Sequence, residues 1–134
     1  MEPELPFEFY IQGTPVSLQA SARSKTNWKN RLKRVIRTKL PEQVWLIQEP
    51  VRVELLLFLD TEMQGDLDNI LKPILDSLEG EIIVNDRLVE EILIKKYEPE
   101  RIIDLIDPSE TLIEAQQSDR PTLYVKVELS LIHI

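Results

Sequence analysis

The sequence predicts an α+β protein: a single domain with a mixed central sheet of about five strands and two main helices. Three observations predict it. Two stretches, residues 24–40 and 68–78, carry apolar side chains at helical spacing. Between them, residues 51–59 begin in strict alternation and then become continuously apolar, as a strand entering a covered sheet does. The outer segments, 7–12 and 122–134, alternate and are rich in aromatic and β-branched residues. With 134 residues the chain is long enough to bury one core and too short for two substantial ones.

In chain order, FEFYIQ at 7–12 is the first strand, GTP at 13–15 is turn chemistry, and 16–24 is a polar loop. Ser24 or Thr26 is the expected cap of a helix running to about Leu40, whose Trp28, Leu32, Val35, Ile36 and Leu40 fall on one face. Pro41 ends it, and the strand at 51–59 follows. The loop TEMQG at 61–65 leads into the second helix, which Gly80 closes. Ile70, Leu71, Ile74, Leu75 and Leu78 cover an arc of about 140° at 100° per residue, a stripe facing the core. Pro73 should kink or tighten this helix just past its first turn. Two extended segments, 82–84 and 88–97, flank an Asn85-Asp86 turn, and 98–121 reads as an excursion with one short helix near 110–117. His133, the only histidine, sits in register with the last strand and reads as structural.

Composition excludes several kinds of chemistry. There is no cysteine, so disulfides, thiolate nucleophiles and thiolate metal sites are ruled out. One histidine leaves a serine or cysteine nucleophile without a base and makes zinc a poor fit. No apolar run approaches the roughly 20 residues of a membrane helix. The start MEPELPFEF is acidic and proline-bearing rather than a secretory signal, so a cytoplasmic setting is expected.

The net charge of −8 argues against a nucleic-acid partner until its distribution is considered. From Phe9 to Pro41 there is no acid, yet that span holds Arg23, Lys25, Lys29, Arg31, Lys33, Arg34, Arg37 and Lys39, half of the Lys and Arg. From Asp60 to Glu91 there are ten acids against only Lys72 and Arg87. Such a chain has a basic face and an acidic face. The basic run is either a solvated helix face or a phosphate-contacting one.

The acids are the more informative half. Asp66 and Asp68 stand one residue apart at a helix start, and Asp86 follows a short turn after that helix. Carboxylates this close repel one another, and a helix cap, a solvated loop or a divalent cation would account for them. As a plain helix, Asp68 would be the N-cap, Lys72 would pair with its neighbours and Asp76 would be solvated. Hard cations such as Mg²⁺ take oxygen ligands and typically one to three carboxylates. An EF-hand loop fails on spacing, since it would want an oxygen ligand at Ile70 and glycine at Leu71. Phosphodiester cleavage needs a polarised phosphoryl oxygen and an activated water, which such a cation supplies, and a nearby lysine can offset transition-state charge.

The run D-x-D-N-x-x-K-x-x-x-D-x-L from Asp66 to Leu78, followed by Gly80, Asn85-Asp86 and an apolar strand, resembles the RusA family of Holliday-junction resolvases. The resemblance implies a RusA-like fold and a Mg²⁺-dependent endodeoxyribonuclease, Mn²⁺ being an alternative ion. It also implies a homodimer that nicks branched DNA at a Holliday junction in recombination and repair. By motif position, Asp66, Asp68 and Asp86 are implied as the metal-binding catalytic carboxylates and Lys72 as the catalytic lysine. Under this reading Arg23, Lys25, Lys29, Arg31, Lys33 and Lys72 would contact DNA. The turn departs from the family's acidic pair, since Asn85 stands where the first acid is expected. Ser21, Ser24, Asn27 and Trp28 are only loose counterparts of the family's N-terminal pattern. Two other readings stay open: a DNA-binding protein on the same scaffold with a weakened site, and a Mg²⁺-dependent hydrolase of small phosphate esters.

Overall fold

Parallel strands cannot be joined by a tight hairpin, and the amphipathic helix of the acidic region is what joins a parallel pair here. In the computed structural model, which describes residues 2–41, 44–62 and 66–130, strand β2 (Val51–Phe58) runs into helix α2 (Leu67–Leu78), and the chain returns as β3 (Val89–Tyr97) parallel to β2. Strands β1 (Phe7–Gln12) and β4 (Thr122–Leu129) complete a four-stranded mixed sheet in the order β1-β4-β2-β3, with β4 antiparallel to both neighbours. Helices α1 (Ala22–Lys39) and α3 (Glu110–Gln117) make this an α+β fold. The expected extended segment at 82–84 is reduced to the bridge Ile47↔Ile83. The short helix expected near 110–117 is α3. Met63, Gln64 and Gly65 of the TEMQG loop, and His133, lie outside the described residues.

Two cores follow from the two faces of the sheet. On one face, Phe9, Val53, Leu55, Leu57, Val125 and Val127 meet Trp28, Leu32 and Ile36 of α1 and Ile70, Ile74 and Leu78 of α2. Full burial of each such side chain contributes about 1.5–3 kcal/mol, so this layer dominates stability. On the other face a smaller cluster gathers Leu56, Phe58, Tyr97 and Tyr124 under Leu112 and Ala115 of α3. The remainder of that face is a charged lattice in which Arg52 pairs with Glu54 and Glu128.

Helix ends account for two differences from expectation. Helix α1 is capped by Ser21, whose Oγ accepts the Ser24 N–H at 3.1 Å, rather than by Ser24 or Thr26. Helix α2 has Asp66 rather than Asp68 at the N-cap position, and the Asp66 carboxylate makes no capping hydrogen bond. Pro73 removes the N–H that the Asn69 carbonyl would accept, and the Leu18 N–H fills the gap at 2.8 Å. A bond from the loop before α1 thus replaces one inside α2. Gly80 has φ +83, a left-handed conformation suited to glycine after a helix.

Candidate active site

Helix α2 presents Asp68, Lys72 and Asp76 along one side at i, i+4 spacing. The turn before β3 faces them. Asn85 opens a 3-10 turn (Asp86–Leu88), its Oδ1 accepting the Arg87 N–H at 2.8 Å. The Asp86 N–H in turn donates to Glu79 Oε1 at 3.3 Å, which ties this turn to the end of α2. Asp86 is thereby aimed at the helix, and Lys72 Nζ donates to its Oδ2 at 2.8 Å. The same ammonium lies 2.9 Å from Asp76 Oδ1.

Electrostatics reinforce the charged forms of Lys72 and Asp86. The hydrogen bonds that Lys72 donates to Asp86 and then to Asp76 raise its pKa well above that of an ordinary lysine. The hydrogen bond from Lys72 and its positive charge hold Asp86 below the usual carboxylate range. Lys72 is therefore a permanent cation at neutral pH and cannot act there as a general base.

Asp66 and Asp68 lie at the opposite end of the row. Both are exposed, and neither carboxylate has a hydrogen-bond or ionic partner among the described residues. Eight residues separate Asp68 from Asp76, about 12 Å along the axis at 1.5 Å per residue. Asp86 docks onto Lys72, between the two. Among the described residues no three acidic or histidine side chains come together as a preformed cation shell. The structure thus unites Asp86, Lys72 and Asp76, and leaves Asp66 and Asp68 apart from them, one turn away.

The basic residues divide in two. Lys25 donates to the Leu18 carbonyl at 3.1 Å, tying down the loop that serves Asn69. Arg31 donates to the Gln12 carbonyl at 2.6 Å and lies 5.5 Å from the centre of the Trp28 ring. Arg37 grips Glu81, just beyond α2, through both Nε and Nη2. By contrast Arg23, Lys29, Lys33 and Arg34 have no protein partner among the described residues. Lys33, Arg34 and Arg37 line a shallow groove with Asn30 and Thr38. Helix α1 packs against α2, the helix that carries the acidic row. Sequence reasoning did not anticipate the roles of Glu79, Glu81 and Leu18; Glu81 and Leu18 act through partners distant in the chain, and Glu79 through the fold-back of the turn at Asp86.

The family model described as Endodeoxyribonuclease RusA matches residues 12–104, a span that includes α1, β2, α2, the Asp86 turn and β3. The chain belongs to the RusA endodeoxyribonuclease family. No curated protein matches it. As a RusA-family protein it is a hydrolase of DNA phosphodiester bonds. RusA-family nucleases are generally dependent on a divalent metal. The donor chemistry here fits such an ion, because Asp66 and Asp68 offer carboxylate oxygens that no group among the described residues satisfies. Among the described residues, no helix of this RusA-family protein is long and apolar enough to cross a membrane.

Proposed function

We propose that this RusA-family nuclease is a Mg²⁺-dependent, structure-specific endonuclease that resolves Holliday junctions and other branched DNA by paired nicking, as a homodimer, in recombination and repair. The observation that carries the reading is the Lys72–Asp86 contact within the matched span, with unpartnered carboxylates at Asp66 and Asp68 on the same helix. Asp66, Asp68 and Asp86 would hold the cation. Bound there, it would polarise the phosphoryl oxygen and activate water. Lys72 contributes fixed positive charge beside the scissile phosphate, where negative charge builds in the transition state. Arg23, Lys29, Lys33 and Arg34 align the backbone of the DNA through phosphate contacts.

The test is a labelled four-way junction incubated with and without Mg²⁺, comparing wild type with Asp68→Asn. Cleavage by wild type alone, and only with the ion, supports the reading; equal cleavage by both proteins sinks it. A second reading, junction binding on this scaffold with a weakened site, is favoured by the absence of a preformed three-acid shell among the described residues. Tight binding with no cleavage by wild type at any Mg²⁺ or Mn²⁺ concentration would select it.

A further inference from the structure

The chain between β3 and α3 contains a run that the fold leaves unpaired. Left-handed backbone at Glu100 (φ 69) and Asp107 (φ 44) brackets it. Among the described residues no hydrogen bond reaches the main-chain N–H or C=O groups of 102–106. These are strong hydrogen-bonding groups, and a run of them without partners is open to another chain. Burial along the run nevertheless alternates as in a strand. Ile103 and Leu105 pack against the smaller core, while Ile102, Asp104 and Ile106 are exposed. Ile102 is 93% and Ile106 84% exposed, more than any other large apolar side chain among the described residues.

The surroundings are acidic. Residues 98–119 hold seven acids against one base, Arg101. Such a surface repels nucleic acid and attracts a cationic partner. It also lies on the side of the sheet away from α1 and α2, so a ligand here leaves the basic helix and the acidic row clear.

We propose that residues 102–106 are a docking strand for a basic, extended segment of another protein, which pairs with them main chain to main chain by strand addition. The exposed side chains define what that segment carries. Ile102, Asp104 and Ile106 recur at every second residue and are symmetric about Asp104. A partner strand running in either direction therefore needs an aliphatic, a basic and an aliphatic residue at i, i+2 and i+4. Its aliphatics cover the two isoleucines, its base faces Asp104, and flanking bases meet Glu100 and Asp107. Pro108 offers no N–H, which bounds the paired run at its far end.

Other occupants fail on charge. A phosphate backbone would lie against Asp104 and Asp107. The same segment of a second copy, parallel in register or antiparallel about its centre, would set Asp104 against Asp104.

The test needs no cleavage, so it stands or falls apart from the nuclease reading. The probe is the acetylated peptide Lys-Val-Thr-Lys-Thr-Val-Lys, with a control in which glutamate replaces each lysine. Both would be titrated into the full chain by fluorescence anisotropy, with amide hydrogen exchange as a second readout. Saturable binding of the basic peptide alone is expected, and the amides of 102–106, which exchange freely in the free protein, should become protected. Asp104→Lys and Ile102→Ser/Ile106→Ser should each weaken binding by about tenfold or more. Both variants change only exposed side chains, so circular dichroism should match wild type. No binding of the basic peptide, equal binding of the acidic one, affinity unchanged in both variants, or protection confined to other segments would each overturn the proposal. Protection of the same amides by a duplex oligonucleotide would overturn it too.

Discussion

Lys72 Nζ stands 2.8 Å from Asp86 Oδ2 and 2.9 Å from Asp76 Oδ1, so one ammonium links α2 to the turn that begins β3. The contact joins residues 14 apart in the chain. It lies at the surface, and exposed ion pairs contribute little to stability. Its value is positional, because it holds an acid that the neighbouring chain would leave in solvent.

Lys72→Met should therefore separate function from folding. Junction cleavage is expected to fall by on the order of 100-fold or more, as for removal of a group that offsets transition-state charge. The thermal midpoint should hardly move. A large loss of stability would show that Lys72 is a structural clamp.

The acid limb of stability should report the same contact. Asp86 is held below its ordinary pKa, so its contribution is present above the unfolded carboxylate value of about 3.9 and is lost as pH falls through the lower folded value. Lys72 is shifted upward, so its contribution persists through neutral pH and fades only at strongly alkaline pH. Urea midpoints of wild type and Asp86→Asn should differ only slightly at pH 7, as an exposed pair allows, and converge below pH ~3. A constant difference across that range would contradict the assignment.

Asn85 caps the turn through its Oδ1, and aspartate can accept the same N–H. Asn85→Asp should leave the urea midpoint nearly unchanged while adding a second acid beside Asp86. Asn85→Ala should cost about 1 kcal/mol and lower cleavage by loosening Asp86. Chemical denaturation alongside junction cleavage would check both outcomes.

The link between Leu18 and Pro73 makes a prediction for stability alone. Leu18→Pro deletes the N–H that serves the Asn69 carbonyl and should cost about 1–3 kcal/mol. Pro73→Ala restores the helical donor to that carbonyl, so Leu18→Pro should cost less in that background. A double-mutant cycle with zero coupling would refute the substitution of one bond for the other.

On the basic helix, Lys29→Ala with Lys33→Ala should weaken junction binding at every salt concentration. Each lost phosphate contact should reduce the slope of log K against log salt by about 0.9. Arg31→Ala should act differently, lowering stability by about 1 kcal/mol through the lost bond to Gln12, with a smaller effect on the slope. Equal slopes for all three proteins would mean that α1 does not touch the DNA backbone.

Much of this architecture is local in origin and was legible for that reason. The apolar spacing of Trp28, Leu32 and Ile36 marks one face of α1, and that of Ile70, Ile74 and Leu78 marks one face of α2. The short helix α3 was expected near 110–117, and the structure adds that Ser109 caps it. Expectation failed at helix starts, where several polar residues compete. Ser21 displaced Ser24 and Thr26, and Asp66 displaced Asp68, because a cap is chosen by the path of the incoming chain.

The candidate site shows the same division. By itself the sequence determined the α+β class, the segregation of charge and the motif from Asp66 to Asp86 that marks a RusA-family nuclease, since periodicity and spacing are written along the chain. Only the tertiary structure decided which charges are committed: Lys25, Arg31 and Arg37 to carbonyls and Glu81, Lys72 to Asp86 and Asp76, with Asp66, Asp68, Lys29 and Lys33 left without a partner among the described residues. The physical reason is that a side chain's partner is set by which elements packing brings within about 3 Å, a distance the linear order of residues does not contain.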